Sequence, residues 1–203
     1  MLNRLVKRFY RQPVVLALFA FCIGSVLWFV DLTTASRISY NEQEKLQSTL
    51  AEVLSNHPYD NNLAPTKNTL YDEVIQQTRT IYTASLNGIH SATIISAMAA
   101  DGYAGQIELL VGISAKGNIV GVRVIQHQET PGLGDDIELR RSNWILSFNG
   151  KNINTPIVWA VKRDGGTFDQ FTGATITPRA VVNAVRKTLI FYDAHQHEIF
   201  SRL

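Results

Sequence analysis

Cysteine is almost absent: the only one in 203 residues is Cys22, and it lies inside an apolar run. A single thiol excludes an internal disulfide and a thiolate metal cage, so chemistry falls to oxygen and nitrogen groups or to a borrowed cofactor. Acidic residues are missing from the start of the chain, where Arg4, Lys7, Arg8 and Arg11 all precede residue 14. Without those four, fifteen basic side chains face seventeen acidic ones, so the formal net charge of +2 is a local feature. This distribution excludes a nucleic-acid footprint and reads as a topology signal. The chain also lacks an internal repeat, a low-complexity segment, a nucleophile elbow and a Gly-rich phosphate loop. His195 and His197 stand two apart and do not share a helical face, which argues against a metal pair. No catalytic side chain and no metal ligand is expected.

What is abundant is apolar sequence. Residues 14–30 read VVLALFAFCIGSVLWFV, with no charge and only Gly24 and Ser25 as weak interruptions. Seventeen helical residues rise about 26 Å, which reaches the lower end of what a bilayer core requires. Trp28 suits the far interface and the basic residues before Pro13 the cytoplasmic one, so the positive-inside rule places the N-terminus in the cytoplasm and the rest outside. A cleaved signal peptide shares the basic start and apolar core, but Thr33-Thr34-Ala35 is a mediocre cleavage site and an uncleaved anchor is expected. Cys22 lacks the small preceding residues of a lipoprotein signal. The expected organisation is a cytoplasmic start at 1–13, a transmembrane helix at 14–32, a helix and linker at 33–68 and one extracytoplasmic domain at 69–203, which the chain length accommodates.

In the linker, residues 41–54 predict a short helix. Asn41 can cap it, Glu44 stands at the capping-box position, and Leu46, Leu50, Val53 and Leu54 share a face. Residues 59–68, with Asn61, Asn62, Pro65 and Asn68, predict a loop. Strand character follows at 79–86, 89–98, 106–114 and 119–125. Asn87-Gly88 separates the first pair at hairpin spacing, and Lys116-Gly117-Asn118 separates the last. Helical patterns are expected at 136–148, with Asp135-Asp136 as its N-terminal charge, and at 178–192, with Thr177 as N-cap and Pro178 at the first helical position. Strands grouped before helices predict an α+β domain with an antiparallel sheet and flanking helices.

The segment most informative about chemistry is Asp169-Gln170-Phe171-Thr172-Gly173-Ala174-Thr175-Ile176-Thr177-Pro178. Gly173 and Ala174 leave the backbone bare, so a bulky group or a modifying enzyme could approach the Thr175 hydroxyl. A helix starting just downstream presents unpaired N–H groups and a partial positive charge, which suits a phosphate, and Arg179 could add a charge-assisted contact. A strand-turn-helix junction with a threonine cap fits the same residues.

Asp169-x-x-Thr172-Gly173-Ala174-Thr175 resembles at every fixed position the flavinylation motif in which a flavin transferase uses FAD to place FMN on the last hydroxyl residue. His127-Gln128-Glu129-Thr130-Pro131-Gly132-Leu133-Gly134 is similar to a signature found upstream in FMN-binding subunits of bacterial ion-pumping redox complexes. Gly102-Tyr103-x-Gly105 and the run from Asn143-Trp144-Ile145 to Phe148 also look like that family. The resemblance covers essentially the whole chain, and within the family it points to the G subunits of Rnf/Rsx-type electron transport complexes. The related C subunit of the sodium-pumping NADH:quinone reductase shares anchor and motif but is typically longer.

This resemblance implies FMN esterified through its phosphate to Thr175, with Thr172, Gly173, Ala174 and Asp169 around the attachment. His127, Glu129, Thr130, Pro131, Gly132, Leu133 and Gly134 would form the ring pocket. Backbone N–H groups of that low-bulk loop would meet flavin heteroatoms, and His127 and Glu129 would share a side if the strand continues. It further implies an electron relay without independent turnover, working beside other membrane subunits in the bacterial inner membrane with its main domain periplasmic. A flavin-binding sensor, for which no output domain is present, and a redox-silent assembly subunit are the other readings.

Overall fold

In the computed structural model the backbone is described for residues 2–201, and side chains for 15–30 and 44–200. The chain divides into two compact units, Met1–Lys45 and Leu46–Leu203. Helix α1 runs from Leu2 to Val53 without a break, so the separate helix expected from residue 41 does not exist as such. The Asn41 side chain that was to cap it lies outside the described residues. Every described side chain from 15 to 30 is exposed, Phe21 at 75% and Leu16 at 73%. No helix among the described residues is long and apolar enough to cross a membrane. The expected span of 14–32 takes in residues 14, 31 and 32, whose side chains are outside the described set.

The second unit is built on a five-stranded antiparallel meander, β1 (Asn68–Asp72), β2 (Gln77–Leu86), β3 (Ile89–Ala99), β4 (Ile107–Ser114) and β5 (Ile119–Gln126), in that spatial order. Four strands fall where the β-branched runs placed them. Asn87 and Gly88 both take positive φ, 52° and 75°, which is the backbone a two-residue hairpin turn between β2 and β3 requires. Strand β1 is not expected from the sequence, and its first residue, Asn68, ends the loop predicted over 59–68. It has one inward apolar residue, Leu70, too little for a period-two signal, and its place is set by pairing with β2.

Both faces of the sheet are covered. On one lies helix α2 (Ile176–Ser201), whose Val181, Val185, Leu189 and Tyr192 pack with sheet residues such as Ile95, Leu109 and Val111. On the other, Leu50, Val53 and Leu54 at the end of α1 pack with Tyr82, Ile94 and Leu110. Two glycines paired across β4 and β5, Gly112 and Gly121, let that helix end come close. A Cβ at Gly112 would stand 2.5 Å from Val53 Cγ1, and one at Gly121 would run into the Val53 carbonyl oxygen. Arg123 donates from Nη2 to the Glu52 carbonyl at 3.0 Å, placing a cation at the helix C-terminus where the dipole is negative. On the α2 side, buried Arg79 donates to Asp72 at 2.7 Å and to Thr188 Oγ1 of α2 at 2.9 Å, so an ion pair and a hydroxyl tie helix to sheet.

Between β5 and α2 the chain is irregular. The expected helix over 136–148 is two 3-10 turns, Asp135–Ile137 and Trp144–Phe148. Ser142 and its neighbours interrupt it: the Ser142 hydroxyl donates to the Asp136 carbonyl and accepts the Trp144 N–H, offering the backbone a local alternative to the helix ladder. Asp135 is buried rather than a solvated helix-end charge, and accepts the Gly132 N–H at 2.6 Å. Helix α2 begins two residues earlier and ends nine later than residues 178–192, so Thr177 stands inside its first turn and is not the N-cap.

Candidate functional site

The loop after β5, the loop between β3 and β4 at Asp101–Gly105 and the start of α2 converge on one cleft. It has a volume of about 350 Å³ and is lined by Tyr103, Glu129, Thr130, Leu133 and Gly134 on one side of the sequence and residues 173–177 on the other. Three of its apolar side chains are left open: Tyr103 is 69% exposed, Leu133 46% and Ile176 43%. Apolar residues held open around a concavity of this size suit a flat organic ligand.

Glu129 organises the convergence. Its side chain is buried, Oε1 accepts the Ala104 N–H at 3.0 Å, and Oε2 accepts the Thr177 hydroxyl in a short hydrogen bond. Two glycines make room for it. A Cβ on Gly134 would lie 2.9 Å from both Glu129 Cβ and Oε2, and one on Gly102 would lie 2.9 Å from Oε1. The carboxylate therefore clasps three segments that are remote in sequence.

The segment leading to Thr175 rests on an aromatic platform. Trp144 packs edge-on against Phe171, with centroids 5.1 Å apart, and Phe148 stacks on Phe168 at 4.7 Å. Trp144 Nε1 donates to the Asp169 carbonyl at 2.8 Å. Above this base, Ala174 N–H closes a turn onto the Phe171 carbonyl at 3.2 Å, with Gly173 at φ 81°. That left-handed position is one a side chain would strain, which explains the glycine. The turn delivers Thr175, half-buried, to the cleft immediately before α2 begins. Its carbonyl accepts the Arg179 N–H at 3.3 Å, so Thr175 and not Thr177 stands at the cap of the helix. Its hydroxyl accepts from Arg163 Nη1 at 3.3 Å.

Arg163 is the residue that sequence reasoning missed. Arg179, expected beside the phosphate, is instead forked onto Asp164 at 2.6 and 2.9 Å, which draws the Asp164 carboxyl below its ordinary range. That pair braces the 3-10 turn Lys162–Asp164, in which the Arg163 N–H also donates to Gln170 Oε1 at 3.2 Å. Only its pairing across a loop identifies Arg163, and no spacing in the sequence reveals it.

Other expected residues fall elsewhere. Strand β5 ends at Gln126, so His127 does not share a side with Glu129. It accepts the Glu129 N–H on Nδ1 and turns Nε2 to Glu138 at 2.7 Å, outside the cleft. Arg140, then His127, draws the Glu138 carboxyl down to about 2. The N–H groups of the glycine loop are already used: Gly132 donates to Asp135, and Leu133 and Gly134 both donate to the Thr130 carbonyl. The loop thus offers a ring its Leu133 side chain and not the N–H groups of Gly132, Leu133 and Gly134. Asp169 pairs with Lys162 at 2.5 Å, and Asp169, Thr172, Pro131 and Gly132 lie outside the cleft lining.

Residues 102–190 match the FMN-binding domain family, and residues 1–53 match the RnfG N-terminal region. The chain is 44% identical over 197 residues to the G subunit of the ion-translocating oxidoreductase complex of Aliivibrio fischeri, covering 93% of this chain and 92% of the relative. It is 44% identical to the protein of the same name from Pseudomonas aeruginosa over 198 residues, covering 94% and 92%. The Vibrio vulnificus protein of that name is 41% identical over 206 residues, covering 100% and 96%.

Proposed function

Since the chain belongs to the family of G subunits of ion-translocating oxidoreductase complexes, we propose that it carries FMN as a phosphoester on Thr175 and relays electrons through it inside such a complex. It acts as an electron-carrying subunit of a translocase. The carrying observation is Thr175 itself: a half-buried hydroxyl at the mouth of an apolar cleft, between a bare turn and a helix start, with a guanidinium on its oxygen.

The residues present fit the group. A phosphodiester at Thr175 would meet the Arg163 guanidinium and the positive end of the α2 dipole, both of which favour an anion. The flat ring would find Tyr103, Leu133 and Ile176, which otherwise expose apolar surface to water. When bound, flavin accepts and donates electrons singly or in pairs and so joins unlike redox centres. The chain's own work is to fix the attachment oxygen, to shield the ring from water and to supply the charges around it. The covalent bond removes dissociation as a loss where free FMN is scarce.

The anchor belongs to the same proposal. Residues 14–32 would cross the inner membrane with residues 1–13 in the cytoplasm, which lipid would favour by covering the exposed apolar side chains of 15–30. The flavin domain would then be periplasmic, where a flavin transferase completes it beside the other membrane subunits.

Co-expression with a flavin transferase tests the attachment. The tryptic peptide ending at Arg179 is expected to gain the mass of FMN, and Thr175→Ala to lose in-gel flavin fluorescence after denaturation. Fluorescence that persists in Thr175→Ala refutes the attachment site.

A further inference from the structure

The cleft wall holds a charge that attachment of a phosphate does not need. Glu129 is 4% exposed, yet among the described residues no Lys, Arg or His side chain pairs with it. Its compensation comes only from neutral donors, the Ala104 N–H and the Thr177 hydroxyl, and from the first turn of α2 in which Thr177 stands. Dipoles of this kind hold a carboxylate in place but do not cancel its field as a cation would. From a buried position in the wall that field falls on whatever occupies the cleft, and Glu129 and Thr175 line the same cleft.

A flavin ring gains negative charge on reduction wherever the electrons it takes up outnumber the protons. A fixed carboxylate in the wall opposes that gain, while a neutral residue does not. We infer that Glu129 is an electrostatic determinant of the reduction potential of the flavin in this cleft, holding it lower than an uncharged residue would; this rests on Thr175 being the attachment point. Glu129 acts in addition as a positioning residue, and the two roles separate by substitution. In Glu129→Gln the amide oxygen can still accept the Ala104 N–H and the amide nitrogen can donate to Thr177 Oγ1, so the clasp is kept and the charge removed. In Glu129→Asp the charge is kept and the reach is lost.

The experiment is a potentiometric titration of the full chain in detergent, flavin attached by co-expression with a transferase, with dithionite as reductant and mediator dyes. Glu129→Gln is expected to shift the one-electron equilibrium toward the reduced form by roughly tenfold, about 59 mV upward, at an effective dielectric of about 20. Glu129→Asp is expected to shift it far less while lowering thermal stability. A purely structural role would give the reverse ranking. Glu129→Gln loaded to the wild-type level with an unchanged potential overturns the inference and leaves the attachment standing. Flavin retained by Thr175→Ala overturns the attachment, while the Glu129 comparison still reads the potential. Should Glu129→Gln take up no flavin, Thr177→Val decides: removing the hydroxyl leaves the carboxylate less compensated, so the potential is expected to fall, and an unshifted value overturns the inference.

Discussion

Gly134→Ala is the most direct probe of how the cleft is held together. Gly134 has φ −95°, a conformation alanine adopts freely, so any cost is steric and not conformational. The new methyl would lie 2.9 Å from Glu129 Cβ and Oε2 and 3.0 Å from Thr177 Oγ1. None of these can simply step aside, because Glu129 is buried and Thr177 is fixed in the first turn of α2. Overpacking costs about 1–3 kcal/mol, and pulling the Thr177 donor off a buried acceptor costs about 1–3 kcal/mol. The two are alternative ways of relieving one clash, so the expected loss is about 2 kcal/mol. For a chain of this size that lowers Tm by about 4–8 °C. Thermal unfolding of the full chain in detergent, followed by tryptophan fluorescence, measures it. Gly132→Ala is the control, since its methyl would meet nothing within 4 Å and the only cost is φ +76°, about 1 kcal/mol. A Gly134→Ala protein with wild-type Tm and wild-type flavin loading, or one more stable than Gly132→Ala, would refute the clasp.

On the opposite face, Gly121→Ala is expected to lose about 1–3 kcal/mol in denaturant unfolding with an unchanged slope, because its methyl meets the Val53 backbone, which cannot rotate away. Arg79→Leu strands a buried carboxylate at Asp72 and is expected to cost about 3–5 kcal/mol. Adding Asp72→Leu should recover only part of this, since Asp72 also accepts the Val74 and Ile75 N–H groups. Glu138 titrates at about 2 in the folded chain against 4.5 ordinarily, so its stabilisation is full above pH 4.5 and disappears as pH falls toward 2. The stability gap between wild type and Glu138→Gln is expected to be about 1 kcal/mol at neutral pH, because Arg140 is largely exposed, and to close over that acid range. A gap independent of pH would show that the Arg140 and His127 contacts carry no charge-dependent stability.

Legibility in the sequence followed the range of the interaction. Four strands and α2 were readable because each carries its own signal: β-branched runs bounded by Asn87-Gly88 and Lys116-Gly117-Asn118, and an apolar face from Val181 to Leu189. Thr175 was singled out by the likeness of Asp169-x-x-Thr172-Gly173-Ala174-Thr175 to a known motif, since the low bulk of Gly173 and Ala174 and the helix beyond left a plain threonine cap open. Residues 136–148 misled because their apolar spacing is helical while Ser142 diverts the backbone through bonds that spacing does not register.

The chain order alone therefore determined the α+β class, the antiparallel turns at Asn87-Gly88 and Lys116-Gly117-Asn118 and the bare turn that precedes Thr175, all consequences of side-chain periodicity and backbone freedom within a few residues. Tertiary structure alone decided that Arg163 and not Arg179 reaches Thr175, that His127 turns away to Glu138, and that Glu129 joins Ala104 to Thr177. Those pairings span from 11 to 48 positions. Burial and charge compensation among three converging loops select them, and no local pattern of residues carries that information.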